Sequence, residues 1–350
     1  MSAATIPFVD PKTGDPLEAS GNRLQNASTG ETVATIVRGV PRFVRPEENY
    51  AEAFGFQWQN WLTLSDAAHG AHGKFDEILE RTHWKDYPTQ GASVLECGMG
   101  GGDDTEVLLQ LGFREVHAFD LSSAVDRAAA ALRDPRLVLS QASIFEIPYP
   151  DESFDFVFCH RVLQHTPDPV RALRSVCRKV RPGGVLFAHC YKRSDTHMRC
   201  FKYKYRPLTT RLPYRWVHRY VTTCGPALHA LNRLLYRLGP RGRRISYEWV
   251  PYYHYRGYLD LDPPRLRQLE QLNTFDALTP AYDLPLTREE FCGAIESEGF
   301  RIEHLFDPPI SPLYCTAVRG GRPSSGPRAA RPAEAADPPS TTRDPRRAPP

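Results

Sequence analysis

The chain has 350 residues, of which 41% are hydrophobic and 24% charged, and its formal net charge is +3. This length allows one large domain with additions or two domains, and the apolar content is sufficient for a hydrophobic core. No run approaches the ~20 apolar residues of a membrane-spanning helix, and the N-terminus lacks the basic and apolar regions of a secretory signal, so we expect a cytoplasmic protein.

Strand and helix signals alternate from Ser93 to Arg319. The predicted strands are 94–98, 115–120, 136–142, 154–160, 185–191, 301–306 and 313–319. Strands that alternate with helices indicate a parallel, doubly wound α/β sheet. The last two strands have no helix between them, which predicts an antiparallel hairpin at the sheet edge and a sheet of seven strands in all.

The helix signals lie between these strands. Asp103 with Glu106 has capping-box spacing, and so does Thr287 with Glu290. A further helix is predicted from Asp168, with Pro169 in its first turn, and Pro182-Gly183-Gly184 is expected to end it.

Composition divides the chain into five parts. We predict a small ribbon-like segment (1–48), a helical aromatic entry segment (49–90), a core (91–191 and 286–319), a lid insertion after the fifth strand (192–285) and a tail (320–350). The tail is rich in Pro and Arg and has few apolar side chains, so it is expected to be disordered.

The stretch VLECGMGGGDD (94–104) places a glycine-rich loop after the first core strand. A dinucleotide site needs G-x-G-x-x-G around a pyrophosphate, but Asp103 stands where the third glycine belongs. Glu96, Asp103 and Asp104 would repel phosphate, since two like charges 4 Å apart cost about 4 kcal/mol at an effective dielectric of ~20. The loop instead suits a positively charged ligand without phosphate, such as S-adenosylmethionine. Asp120, at the end of the second strand, can accept hydrogen bonds from ribose hydroxyls.

Three stretches carry a family resemblance: VLECGMGGG, VHAFDLS and IFEIPYPDESFDFVFCHRVLQHTPDPVRALRSVCRKVRPGGVLF. In order and spacing they resemble the motifs of class I S-adenosylmethionine-dependent methyltransferases of the type 11 kind, closely over 90–192 and loosely over 286–319. The resemblance implies a Rossmann-like fold and S-adenosylmethionine as cofactor.

The resemblance also implies roles for individual residues. Those that would contact the methionine end of the cofactor are Glu96, Gly98, Met99, Gly100, Gly102 and His160. Asp120 would hold the ribose, while Leu121, Ser143 and Ile144 would lie near the adenine. Serine at 143 departs from the aspartate that the family often has there, which puts the contact to the adenine amine in doubt.

Residues 11–44 resemble the small ribbon that precedes some of these methyltransferases. Such ribbons often hold zinc with two cysteine pairs, but this chain has no cysteine before Cys97, so no metal is expected. None of the eight cysteines has C-x-x-C spacing, which predicts reduced, mostly buried thiols. In the entry segment, Phe56, Trp58 and Trp61 either cover the cofactor or pack a helix on the sheet.

Candidate catalytic residues lie at the ends of the fourth and fifth strands. A base near the acceptor would take its proton; the candidates are His160, His165 and Tyr191, with His189 also considered. The alternative reading of His165, that it caps or orients the next helix, is favoured. The absence of an Asn/Asp-Pro-Pro-aromatic motif and of a Pro-Cys pair after the fourth strand disfavours adenine-amine, glutamine-amide and cytosine-C5 methylation.

The insertion is basic and aromatic. Residues 192–258 hold fifteen Lys and Arg against Asp195 and Glu248. Within it, 226–238 forms an amphipathic helix, with leucines at 228, 231, 234, 235 and 238. That side either packs on the lid's own core, which is favoured, or lies on an anionic membrane surface.

These features predict a methyltransferase acting on a small-molecule, sugar or glycolipid acceptor, with O-methylation in a bacterial biosynthetic pathway. The alternatives are an RNA methyltransferase, with nucleic acid disfavoured as a partner, and a non-catalytic module that binds S-adenosylmethionine or a membrane. The sequence carries no signal for the oligomeric state.

Overall fold

The computed structural model describes residues 6–45, 49–61, 64–255 and 262–321, with the backbone alone for 64–72. The tail beyond residue 321, for which disorder was predicted, lies outside the described residues. Eleven strands form one sheet. They are β1 (Leu17–Ser20), β2 (Arg23–Asn26), β3 (Thr32–Val37), β4 (Val40–Arg42), β5 (Ser93–Cys97), β6 (Glu115–Asp120), β7 (Leu137–Gln141), β8 (Phe154–Cys159), β9 (Val180–Cys190), β10 (Phe300–Phe306) and β11 (Leu313–Arg319).

Helices lie on both faces of this sheet and form the lid. They are α1 (Glu52–Asn60), α2 (Leu64–Thr82), α3 (Asp103–Gln110), α4 (Ala124–Ala131), α5 (Pro169–Lys179), α6 (Asp195–Met198), α7 (Phe201–Thr209), α8 (Tyr214–Arg237), α9 (Gly239–Trp249), α10 (Pro263–Leu278) and α11 (Arg288–Ser297). Among the described residues, no helix combines the length and apolarity needed to cross a bilayer.

The sheet has the order β1-β2-β3-β4-β7-β6-β5-β8-β9-β11-β10. Strands β5 to β9 are parallel, and β11 runs antiparallel between β9 and β10, which confirms the doubly wound core and the closing hairpin. All seven predicted strands are present as β5 to β11, but the sheet has eleven strands because the N-terminal ribbon continues it. Its last strand, β4, pairs with β7 at Arg42 and Gln141, and the Arg42 guanidinium also pairs with Asp126.

A buried asparagine closes the loops of the N-terminal ribbon. The Asn26 amide nitrogen donates to Asp10, Thr13 and Asp15 at 3.0–3.2 Å, and its carbonyl oxygen accepts from the backbone of Ser28 at 2.8 Å. Asn26 is 2% exposed, so losing these bonds would leave buried polar groups unsatisfied. The polar cluster thus ties together the loops of the ribbon.

The segment Pro182-Gly183-Gly184 does not end a helix. Helix α5 already ends at Lys179, and 182–184 lie within β9, beside an irregularity in its pairing with β8. A Cβ at Gly184 would lie 2.8 Å from the carbonyl oxygen of Asp155, so glycine permits the close approach of the two strands here. Asp168 caps α5 by accepting from the backbone N–H of Arg171 at 3.0 Å.

The cysteines are free thiols, as predicted. Six are buried, Cys292 is partly buried and Cys224 is exposed. Buried apolar side chains cover both faces of the parallel strands, as in a sheet with helices on each side. The core therefore holds the strand ends rigidly in place at the edge where parallel α/β sheets bind ligands.

The cationic side chains of the run FKYKYR in the lid bond to other parts of the lid. Lys202 forms a buried ion pair with Asp283 at 2.7 Å. Lys204 donates to the carbonyl of Glu248 at 2.7 Å, and Arg206 donates to the carbonyl of Pro280 at 2.7 Å. These cations hold the lid together rather than facing a polyanion.

The predicted packing of the leucine side of 226–238 on the lid core was largely wrong. Leu231, Leu234 and Leu238 are 42%, 57% and 63% exposed. The inward face is anchored instead by Val221 and by Asn232, which donates to the carbonyl of Tyr252 at 2.9 Å.

Candidate functional site

One large cavity, of ≈ 830 Å³, lies at the carboxyl ends of the parallel strands. The core, the two N-terminal helices and the lid all contribute to its wall. This volume is toward the upper end of the ~300–1,000 Å³ typical of small-molecule sites. The cavity therefore has room for more than a single small ligand.

The glycine loop forms one wall. The backbone N–H groups of Gly98 and Met99 both donate to the carbonyl of Phe119, at 2.8 and 3.0 Å, which ties the end of β5 to β6. Gly98 has a φ of +79°, and a Cβ there would lie 2.3 Å from a methyl of Val162. Only glycine fits this position without strain.

We predict that Gly98→Ala destabilises the fold more than Gly91→Ala. Gly91 has a similar φ of +75° but no neighbour within 4 Å of an added Cβ. Alanine at a strained backbone position lowers the stability by about 1–3 kcal/mol, and this applies to both variants. Only Gly98→Ala adds the clash with Val162. Urea unfolding measures the difference; equal losses for the two variants would show that the contact with Val162 is unimportant.

The carboxylate of Asp120 lies on the cavity wall and is already part of a network. Its Oδ2 accepts from the Gly100 N–H at 2.9 Å, and its Oδ1 accepts from the N–H and hydroxyl of Ser122 at 2.8 and 2.6 Å. Burial raises the pKa of Asp120, against the effect of these bonds. A carboxylate has about four acceptor positions, so Oδ2 retains capacity for one more donor.

Four of the predicted cofactor residues do not reach the cavity wall: Glu96, Gly100, Gly102 and Ser143. Glu96 is buried and accepts from the Thr105 hydroxyl at 2.6 Å. Burial, together with the nearby Asp104, raises its pKa to about 8. Gly102 begins α3 against Ala128, and the Ser143 hydroxyl accepts from the backbone of Phe145. Gly98, Met99, Asp120, Leu121, Ile144 and His160 do line the cavity.

His160 is engaged at both ring nitrogens. Its Nδ1 lies 2.9 Å from Asp104 Oδ2, and its Nε2 lies 3.4 Å from an Arg81 nitrogen. Because Arg81 only donates, Nε2 accepts and Nδ1–H donates to Asp104. Burial lowers the pKa of His160 to about 4. With no free lone pair, His160 does not fit the base that we predicted, although it lines the cavity.

Charges of both signs surround His160. Burial opposes ionisation of Asp104, but Lys74, 3.1 Å away, and His160 hold its pKa well below the usual range. Arg81 and Arg161 also line this part of the cavity. The wall thus offers carboxylates and cations side by side, as a zwitterionic ligand requires.

The aromatic residues of the entry segment either line the cavity or pack against the lid. The Trp58 ring covers the glycine loop, within 3.0 Å of a Cβ added at Gly100 or Gly101. Trp58 and Trp61 line the cavity. Phe56 instead packs against Tyr214 and Phe275 of the lid, at centroid distances of 5.0 and 5.8 Å.

His165 presents a free nitrogen. Its Nδ1 lies 3.2 Å from the carbonyl of Tyr282, which can only accept, so Nδ1 carries the proton and Nε2 the lone pair. Nε2 has no hydrogen-bond partner among the described residues. It is also not among the polar atoms of these residues that are fully buried without a partner. Burial lowers the pKa of His165, so the ring is neutral at pH 7. Of the favoured alternative, that His165 caps or orients the next helix, the capping part does not hold, since Asp168 caps α5.

Tyr191 also lines the cavity, with its ring 5.7 Å from that of His165 and 4.3 Å from the Lys202 ammonium. Burial raises its pKa well above the usual value, so it is a phenol and not a base. His189 is buried as well, and its Nδ1 has no partner among the described residues.

Helix α10 supplies a wall of the cavity that was not predicted from the sequence. Its cavity-lining residues are Leu269, Leu272, Asn273, Asp276 and Ala277. Their spacing of three and four places them on one helix face. Asp276 raises the pKa of His165 against the effect of burial. The spacing was readable in the sequence, but nothing in it showed which wall the face would form.

Comparison with known proteins places a family model on this part of the chain. Residues 95–188 match the family described as "Methyltransferase domain". This range includes the glycine loop, Asp120, His160 and His165.

Three curated relatives match over 101 to 145 residues. The malonyl-[acyl-carrier protein] O-methyltransferase of Halorhodospira halophila is 40% identical over 119 residues, covering 32% of this chain and 39% of that protein. A ubiquinone biosynthesis O-methyltransferase of Albidiferax ferrireducens is 31% identical over 145 residues, covering 37% and 57%. The 27-O-demethylrifamycin SV methyltransferase of Amycolatopsis mediterranei is 36% identical over 101 residues, covering 27% and 37%. The matches thus span between 37% and 57% of these relatives' lengths.

Proposed function

We propose that this chain, which contains a class I methyltransferase domain with S-adenosylmethionine as its cofactor, methylates a hydroxyl of a small-molecule or glycan-like acceptor. The observation that carries the proposal is the neutral His165 in the same cavity as the glycine loop and Asp120. Two of the three relatives are named O-methyltransferases and the third is named a methyltransferase, which supports the same class of reaction.

The cavity wall suits this cofactor. Asp120 has a free acceptor position for a ribose hydroxyl, and Leu121 and Ile144 supply apolar contacts for a base. Near His160, Arg81 or Arg161 would hold a carboxylate, while Asp104 would attract an ammonium or sulfonium group. A pyrophosphate would be repelled by Asp103 and Asp104.

When bound, the cofactor supplies an electrophilic methyl group on a positively charged sulfur. As the acceptor oxygen would bond to the methyl carbon, the bond from that carbon to sulfur would break and the sulfur would leave as a neutral thioether. His165 Nε2 would take the proton of the acceptor hydroxyl, which ends on the imidazole. The Tyr282 carbonyl holds the ring in the required tautomer. Asp276 stabilises the imidazolium that results, because its negative charge favours the protonated ring.

The acceptor side of the cavity favours a small, partly apolar molecule. Its walls are formed by Tyr191, Tyr253 and Tyr255 together with the face of α10. Tyr255 accepts a hydrogen bond from Asn273 at 3.0 Å, which leaves its hydroxyl in place to contact an acceptor. Aromatic walls with a few fixed polar groups are typical of sites for sugars and ring-containing metabolites.

The test uses S-adenosylmethionine labelled in its methyl group, the purified full chain and a fractionated cell extract. We expect label in a small-molecule or glycolipid fraction with the wild type and at least about 100-fold slower labelling with His165→Gln. Label in RNA would contradict the proposed acceptor. Cofactor binding without label in any fraction would contradict catalysis and favour a module that only binds the cofactor.

A further inference from the structure

Helix α8 exposes several large apolar side chains on the side opposite to its buried face. Its inward side is held by Val217, Val221, Gly225 and Asn232, all buried. Asn232 accepts from the Ser246 hydroxyl of α9 at 2.6 Å and donates to the Tyr252 carbonyl. These contacts fix the rotation of the helix, so the opposite face is held toward the outside of the lid.

That outer face carries large apolar side chains near both ends of the helix. Trp216 is 72% exposed, and Leu231, Leu234 and Leu238 follow it. At 100° per residue these four side chains lie within about one sixth of the helix circumference. Soluble proteins usually place polar residues on such a face, and exposed apolar side chains that form a stripe mark an interaction surface.

Arginines line one side of this stripe. The exposed residues Arg215, Arg219, Arg233 and Arg237 are spaced by 4, 14 and 4 residues, which sets them on one flank of the helix. Helices α7 and α8 contain no Asp or Glu. A helix with an apolar stripe, a tryptophan and an arginine flank has the composition of one that lies in a lipid interface.

We propose that the outer face of α8 binds the surface of an anionic phospholipid membrane. The leucines and Trp216 would enter the boundary between head groups and acyl chains, and the arginines would contact lipid phosphates. A second copy of the chain is a poorer partner for this surface, since two acid-free arginine flanks would repel each other. The proposal is independent of the methyl acceptor.

The test is sedimentation of the full chain with vesicles of phosphatidylglycerol and phosphatidylcholine or of phosphatidylcholine alone. We expect binding to the anionic vesicles that weakens with salt. The triple variant Leu231→Ser, Leu234→Ser, Leu238→Ser should lower the partition coefficient by about tenfold or more, and so should Arg219→Gln, Arg233→Gln, Arg237→Gln. Val37→Ser, an exposed apolar side chain on β3, is the matched control and should bind like the wild type.

A fluorophore on Cys224 gives a second measurement, since this is the exposed cysteine on α8. Its emission should shift to the blue with anionic vesicles in the wild type but not in the leucine variant. Equal vesicle binding by the wild type and the leucine variant would overturn the proposal. The binding would then come from a part of the chain that both proteins share, such as the Arg-rich C-terminus. A dimer that the leucine variant dissociates, without vesicle binding, would show that the face joins two copies. S-adenosylmethionine binding should be unchanged in the leucine variant, which separates this proposal from the catalytic one.

Discussion

Asp120→Ala is expected to weaken S-adenosylmethionine binding by about 100-fold. A hydrogen bond to a charged group is worth about 1.5–3 kcal/mol, and Asp120 has one acceptor position open to the ligand. The substitution also frees the Gly100 N–H, whose bond to Asp120 holds the glycine loop. Calorimetric titration of the purified variant with the cofactor measures the loss.

A matched carboxylate away from the cavity serves as the control. Asp134 pairs with Arg136 at 2.7 Å and does not line the cavity. Asp134→Ala should bind the cofactor like the wild type. An affinity for Asp120→Ala within about threefold of the wild type would remove Asp120 from the binding site.

His165→Gln is expected to lower kcat by roughly 10²–10⁴-fold and to leave cofactor affinity unchanged, because a general base contributes about that much. The neutral ring is the active form. The wild-type rate should therefore rise as the pH is raised through the lowered pKa of His165 and stay level from neutral pH upward. The fall in rate at acidic pH, the acidic limb of the profile, should be absent from the variant.

Two further variants sharpen this result. Asp276→Asn removes a charge that raises the pKa of His165, so the acidic limb should move to lower pH and kcat should fall. His304→Gln, on β10 and outside the cavity, should keep the wild-type profile. An unchanged kcat in His165→Gln would show that the acceptor needs no base at this position.

The core strands and the glycine loop could be predicted from the sequence because local signals determine them. Apolar runs bounded by glycines specify buried strands, and Asp120 follows such a run directly. Position along a strand does not show which layer a side chain enters, however. Glu96 is predicted as a ligand residue, and the structure shows its carboxylate buried and bonded to the Thr105 hydroxyl.

The lid was harder to predict, because its sequence does not show which helix face is buried. In α8 the inward positions hold Asn232 and Gly225, which read as polar or neutral, while Leu231 and Leu234 point outward. Tertiary hydrogen bonds from Asn232 decide the rotation. Asp276 was missed for the same reason, since its place in the cavity depends on how α10 packs over the core.

We expect the cavity to bind a positively charged nucleoside and not a dinucleotide. Calorimetric titration of the wild-type chain with S-adenosylmethionine and, separately, with NAD tests it most directly. The structure predicts saturable binding of S-adenosylmethionine at micromolar concentration and none of NAD, because Asp103 and Asp104 face the cavity. Binding of NAD, or no binding of S-adenosylmethionine, would contradict the claim.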